Sequence, residues 1–350
     1  MNKTAIIKTS LDMLFYTGAS QALRGIFGGM GAIFMLHHIR PGGGLQTGFA
    51  PNAGLEITPE FLDGVIALAK SNGYDLLSLS DAVDRVKTGK SARPFVVFTI
   101  DDGYRDNMVH AWPVFRRHQC PFTIFVSPSI TDGKGELWWR GMEAAIAADT
   151  RIESPVNGHT FIDITTDAQK QAVWEKLYWP VRHMPEQAQR AWVRRVCEAQ
   201  GISLEAMCRA EAMTWDELRD IAADPLCTIG AHTVNHFAMA KLPAEEALSE
   251  AVLSRDRIEK ELGKRPDLFA YPYGDESSAG PRDFALMREA GFTAAVTTRK
   301  GLVYAAHREH LTALPRVSLN GGFQKPRYVD VMLSGSAFAI WNRFKRVSAA

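Results

Sequence analysis

Residues 96–104 read Val-Val-Phe-Thr-Ile-Asp-Asp-Gly-Tyr, an apolar run of β-branched and aromatic residues that stops at two adjacent carboxylates and a glycine. The run has the composition of a buried strand. An unpaired carboxylate is very costly to bury. Asp101 and Asp102 must therefore lie where the strand leaves the core, and Gly103 lets the chain turn sharply there. A fold that satisfies this stretch is a sheet or barrel with chemistry at its rim.

The rest of the chain alternates in the same way. Strands are expected at 31–36, 94–100, 121–126, 226–231, 268–271, 292–297 and 313–318. Thr58 followed by Pro59 predicts a helix running through Ala69, and Ser80 starts a short second helix. Further helices are expected at 106–118, 243–263 and 281–290, and a Gly-rich loop at 41–44. Repeated β/α units argue for a parallel sheet or barrel with helices outside. In such folds chemistry collects at the C-terminal ends of the strands. Residues 131–213 break the rhythm. They contain Trp138, Trp139, Trp174, Trp179 and Trp192 and read as a mostly helical insertion, after which Thr214 and Glu217 form a capping pair for another helix.

A chain of 350 residues makes either one large α/β domain or two ordinary ones. Its net charge of +1 lacks the basic footprint of a nucleic-acid binder. Cys120, Cys197, Cys208 and Cys227 have no CxxC spacing, so a disulfide framework is not expected and a reducing compartment fits. Near the start, Asp12 and Arg24 interrupt any export-signal core, and the apolar stretch 25–36 is too short to span a bilayer. Residues 5–27 are expected to form an amphipathic helix. That helix and the C-terminal Phe338–Arg346 are read as packed on the same chain or in peripheral contact with a membrane. The expected location is cytoplasmic, either free or associated with a membrane.

A second apolar run, 226–231, ends in His232-Thr-Val-Asn-His236. Imidazoles four residues apart can reach one ion from a helical turn or tight loop. His232 and Asp102 both sit just beyond inferred strand ends, and in a parallel sheet those ends share one face. One carboxylate and two imidazoles leave open positions for water and substrate, which suits a catalytic metal. Asp101 is then placed to act as base on the water that the ion acidifies.

These residues resemble the polysaccharide deacetylases of carbohydrate esterase family four, the NodB-homology domain. Thr99-Ile-Asp-Asp-Gly103 looks like that family's first motif, and His232-Thr-Val-Asn-His236 like its second. The resemblance implies a distorted (β/α) barrel with a mostly helical insertion. The domain would fill residues 1–350, with an N-terminal helix in 1–30 and the Trp-rich insertion at 131–213. It implies Asp101 as general base and Asp102, His232 and His236 as metal ligands. Zinc is the default ion, and cobalt, nickel or manganese also suit the set.

In the third motif, Arg-x-Pro-Tyr/Phe, Ala270 stands at the arginine position, while Pro272, Tyr273 and Gly274 match. Tyr273 would offer its backbone N–H to the oxyanion, with Pro272 beside it on the substrate side. Arg316, at the end of a late strand, is the candidate replacement for the missing arginine, or else a surface residue. The C-terminal Leu-x-x-His motif is absent, since His307 and His310 precede the last strand. The N-terminal Leu36-His37-His38 instead resembles the circularly permuted subgroup that includes the poly-N-acetylglucosamine deacetylases, which makes His37 the acid and His38 its neighbour.

The implied reaction is metal-dependent removal of the N-acetyl group of a glucosamine-type saccharide, releasing acetate. Chitooligosaccharide, poly-N-acetylglucosamine, peptidoglycan and lipid-linked glycan all fit, and Trp138 and Trp139 are read first as core packing and otherwise as residues that stack on sugar. Two other readings stand beside it. A non-catalytic glycan-binding module on a degraded scaffold is favoured by the missing arginine and opposed by the intact Asp-Asp and His-x-x-x-His pairs. A two-metal phosphoesterase lacks the further Asp/His cluster it would need.

Overall fold

The computed structural model describes residues 3–44, 48–155 and 161–347. Seven parallel strands close into a barrel: β1 (Gly31–Leu36), β2 (Phe95–Ile100), β3 (Phe122–Val126), β4 (Cys227–Ala231), β5 (Leu268–Ala270), β6 (Ala294–Lys300) and β7 (Leu314–Ser318). Each pairs with its neighbours in chain order, and β1 joins β7 to β2 to close the ring. The two-residue strand Asp75–Leu76 pairs with the lower half of β2. Strands β1, β2 and β3 are buried at every residue, which is why they read as unbroken apolar runs and not as alternating patterns.

The register places the chemistry. Leu36 pairs with Ile100, and the Asp101 N–H donates to the Leu36 carbonyl at 2.9 Å, so His37 and Asp101 leave the barrel at one level. Val126 pairs with Ala231, and Ala231 with Phe269, which brings His232 and the loop after β5 to the same rim.

Helices surround the barrel. Thr58 caps Pro59–Ser71 through the Phe61 N–H. The next helix, Leu79–Thr88, is capped by Ser78 and so begins before the Ser80 expected to start it. Residues 106–118 are not one regular helix. A π turn, Asn107–Ala111, precedes the helix Trp112–His118, because Pro113 has no N–H to donate back along the ladder. The expected helix 5–27 is two, Lys3–Tyr16 and Ala19–Phe27, separated at Gly18, whose φ of 72° no regular helix contains. Both pack on the helix Pro326–Leu333. Leu11 meets Tyr328 and Val331, Asp12 pairs with Arg327, and Arg24 pairs with Asp330. No helix among the described residues is long and apolar enough to cross a membrane.

Between β3 and β4 lie the helices Trp138–Ala148, Asp167–His183, Glu186–Glu198 and Leu204–Glu211 and a short antiparallel hairpin, Arg151–Glu153 with Phe161–Asp163. Trp138, Trp139, Trp174 and Trp192 form a core of their own here. Thr214 and Glu217 make the reciprocal capping pair that starts Trp215–Ala222.

Candidate active site

At the C-terminal rim of the barrel, a cavity of about 230 Å³ is lined by His37, Asp101, Asp102, His232, His236 and Tyr273. Strand ends supply each of them, through β1, β2, β4 and β5. The local backbone is unusual. Asp102, Thr233, His236 and Tyr273 all have φ between 55° and 73°, a left-handed conformation costing on the order of 1 kcal/mol or more for residues with a Cβ. The barrel imposes these turns so that adjacent side chains point to different places: Asp101 back toward the sheet, Asp102 toward the imidazoles.

Among the described residues, Asp102, His232 and His236 form a group whose ligand atoms lie within 4.8 Å of one another. Asp102 Oδ1 is 3.1 Å from His236 Nε2 and 3.5 Å from His232 Nε2. Ligands about 2.1 Å from a tetrahedral ion stand about 3.4 Å apart, so these separations match a shared cation. Asp102 Oδ1 is buried and accepts no hydrogen bond of normal geometry among the described residues. His232 Nδ1 donates to the Ala270 carbonyl at 2.7 Å, which leaves Nε2 with a free lone pair. Burial lowers the pKa of His236, partly offset by Asp102, which favours the neutral imidazole that a ligand must present. Burial would raise the Asp102 pKa, but the two imidazoles outweigh it and hold it well below the usual range. The residues present fit a divalent ion.

Asp101 has a different partner. Arg316, fully buried on β7, forms a two-pronged pair with it: Nη1 to Oδ1 at 2.7 Å and Nη2 to Oδ2 at 2.6 Å. The same guanidinium donates to Thr99 Oγ1 at 3.0 Å and the Thr297 carbonyl at 2.8 Å. Burial favours the neutral acid at Asp101, yet the charge and hydrogen bonds of Arg316 prevail, and the carboxyl sits below its ordinary pKa. Arg316 is thus no surface residue, nor does it line the cavity as a substrate contact would. It positions Asp101 from behind.

His37 Nε2 lies 4.0 Å from Asp101 Oδ2, with 18% of its side chain exposed. Desolvation lowers its pKa, partly opposed by Asp102 and Asp101. Asn107 Nδ2 holds the His37 carbonyl at 2.8 Å. Its neighbour His38 faces away, bonded to Asp106 at 2.7 Å and stacked on Tyr104. His307, by contrast, is buried and bonded to Tyr304 outside this cavity.

The Tyr273 N–H has no hydrogen-bond partner among the described residues, while its carbonyl accepts from Thr298 Oγ1 at 2.6 Å. Pro272 is buried and does not line the cavity; its carbonyl accepts the Gly274 N–H and so shapes the turn that presents Tyr273. The Tyr273 hydroxyl accepts from Trp138 Nε1 at 2.6 Å, so Trp138 is committed to the wall and fully buried. Trp139 is nearly so, and the tryptophan at the cavity with an open face is Trp179. Tyr178, Trp179 and Arg182 reach the cavity from the insertion helix Asp167–His183. The Arg182 guanidinium lies 3.6 Å over the Tyr273 ring. Sequence reasoning missed these contributors because nothing local marks the helix face that turns toward the barrel.

An aspartate pair, two histidines and a strand-end tyrosine thus converge at the rim of a (β/α) barrel, around a group that could hold a divalent ion. Residues 88–295 match the Polysaccharide deacetylase family, more than half of the chain, and the protein belongs to that family. A curated relative, "Putative polysaccharide deacetylase YxkH" of Bacillus subtilis (strain 168), is 28% identical over 141 residues, 40% of this chain; the chain spans about half the relative's length (47%). The fold resembles that of Streptococcus pyogenes deacetylase PplD in complex with acetate, at TM-score 0.56 and 17% identity over 85% of this chain and 95% of that one. IcaB from Ammonifex degensii aligns at TM-score 0.53 and 17% identity over 88% and 97%. A de-N-acetylase from Aggregatibacter actinomycetemcomitans aligns at TM-score 0.53 and 15% identity over 86% and 99%. At these identities the likeness concerns the fold.

Proposed function

We propose that this protein hydrolyses the N-acetyl group of a glucosamine-type saccharide, releasing acetate. The observation that carries the reading is the contrast between the two adjacent aspartates. Asp102 points to a pair of imidazoles, and Asp101 is locked by Arg316 beside them. A binding module has no use for an ionised carboxylate locked beside a group that could hold a metal.

Asp102, His232 and His236 would hold the ion, with zinc as the default. When bound, the ion polarises the acetyl carbonyl and acidifies the attacking water. Asp101, kept ionised by Arg316, takes the water's proton. The Tyr273 N–H faces the oxygen on which negative charge develops. His37 protonates the departing nitrogen. Its lowered pKa makes the imidazolium a stronger acid, and its partial exposure lets it recover a proton from solvent. The placement of His37 on the strand that precedes the family match supports the circularly permuted subgroup.

Acetate release from N-acetylglucosamine oligomers by zinc-reconstituted protein tests the reading. Turnover that disappears with chelator and returns with zinc is expected. Tight glycan binding with no acetate under any metal would instead identify a binding module.

A further inference from the structure

Every exposed position from residue 4 to residue 26 is uncharged, across two helices, while Lys8, Asp12 and Arg24 are half-buried. A helix face turned to water normally carries Lys and Glu. Here Ile6, Met13, Tyr16 and Ile26 are 45% to 72% exposed. The C-terminal segment adds Ile340, Trp341 and Phe344, each at least half exposed. Arg343, Lys345 and Arg346 are exposed beside them, with no acidic residue from 340 to 347. The two patches are continuous, since Phe344 meets Phe27 at 6.0 Å and Arg346 donates to the Ile26 carbonyl. Apolar and aromatic side chains rimmed by cations are the signature of a surface that meets anionic lipid.

Between the helices Lys3–Tyr16 and Ser336–Trp341 lies a cleft of about 290 Å³, walled by Ile7, Leu14, Phe338, Ile340, Trp341 and Lys300. Lys300, with its ammonium 3.9 Å over the Trp341 ring, and Trp341 also wall an open trough that contains Trp179, Asp275 and Thr298. Those last three line the catalytic cavity. The catalytic cavity, the trough and the apolar cleft thus share walls in series, with the Trp341 ring and the Lys300 cation between the last two.

We propose that the substrate is a saccharide carried on a lipid: the sugar enters the catalytic cavity, and the hydrocarbon next to it lies in the cleft between the terminal helices. This rests on the deacetylase reading and narrows its substrate class. Each buried CH₂ strengthens binding roughly fourfold, so even a few carbons held in the cleft produce a large preference.

The test compares two soluble probes with zinc-loaded protein, the N-acetylglucosamine disaccharide bearing a dodecyl or a methyl aglycone, each below any micelle concentration. The dodecyl glycoside should be favoured on the order of thirtyfold or more in kcat/KM. Ile6→Asp with Ile340→Asp, both at exposed positions that wall the cleft and neither the trough nor the catalytic cavity, should abolish that preference while leaving turnover of the methyl glycoside unchanged. Equal kcat/KM for the two probes, or a preference that survives the double variant, overturns the proposal. If neither probe releases acetate, the deacetylase reading fails on its own. Tryptophan-fluorescence titration then decides the cleft: dodecyl binding tighter than methyl in wild type and not in the variant supports it, and equal binding refutes it.

Discussion

Replacing Arg316 by methionine isolates the feature on which the catalytic reading depends. The guanidinium makes two hydrogen bonds to Asp101 and one each to Thr99 and Thr297, and neither charged group meets appreciable solvent. Methionine fills similar space but leaves an uncompensated buried carboxylate, a change that costs about 3–5 kcal/mol. In wild type the pair lowers the Asp101 pKa, so its stabilisation is full above the ordinary carboxylate range and is lost as pH falls through the lowered value. In Arg316→Met, burial raises that pKa against the neighbouring imidazoles alone. The deficit relative to wild type should therefore shrink as pH falls and Asp101 takes up a proton. Urea unfolding of the metal-free proteins at pH 7.5 and pH 5 measures it. Asp101→Asn in the same background should recover part of the loss, because it removes the stranded charge, and the acid limb of the rate profile should move to higher pH in Arg316→Met. A deficit that is the same at both pH values, or strictly additive losses in the double variant, would refute the argument.

Three further outcomes are expected. By elemental analysis, wild type should hold about one zinc per chain, His232→Ala and Asp102→Ala should lose it, and Asp101→Asn should keep it while losing turnover by about 10²–10⁴-fold. His37→Gln should lower amide hydrolysis by a similar factor and spare 4-nitrophenyl acetate, whose leaving group needs no proton; equal losses on both would remove His37 from the acid role. His307 is buried, which depresses its pKa to about 4, so the folded state resists its protonation and loses stability as pH falls from about 6.5 toward 4. Between pH 7.5 and 5 this amounts to about 2 kcal/mol, and His307→Gln should show a correspondingly shallower fall in Tm.

Much of the site was legible from local pattern. Apolar runs that end in Asp101-Asp102 and in His232 announce their strand ends, because burial tolerates no unpaired charge and the switch in polarity has to coincide with the rim. The first two motifs needed only that. Pro272 was legible as a residue but not as the shaper of a turn, while Arg316, offered as the replacement for the arginine that braces the base, pairs with Asp101 from behind. Trp138 illustrates the limit: in sequence its indole reads either as core or as a sugar platform, and only the fold shows the hydrogen bond to Tyr273 that holds it in the wall. The break at Gly18 was missed because the apolar period continues across it.

The amino-acid sequence by itself determined the inventory: parallel strands, a rim, two carboxylates, two imidazoles and a histidine after the first strand. Tertiary structure decided the pairings among them. Arg316 reaches Asp101 across 215 residues only because β1 closes the ring between β2 and β7. Strand composition reports burial, but contact between distant residues depends on barrel closure and register, which no local segment encodes.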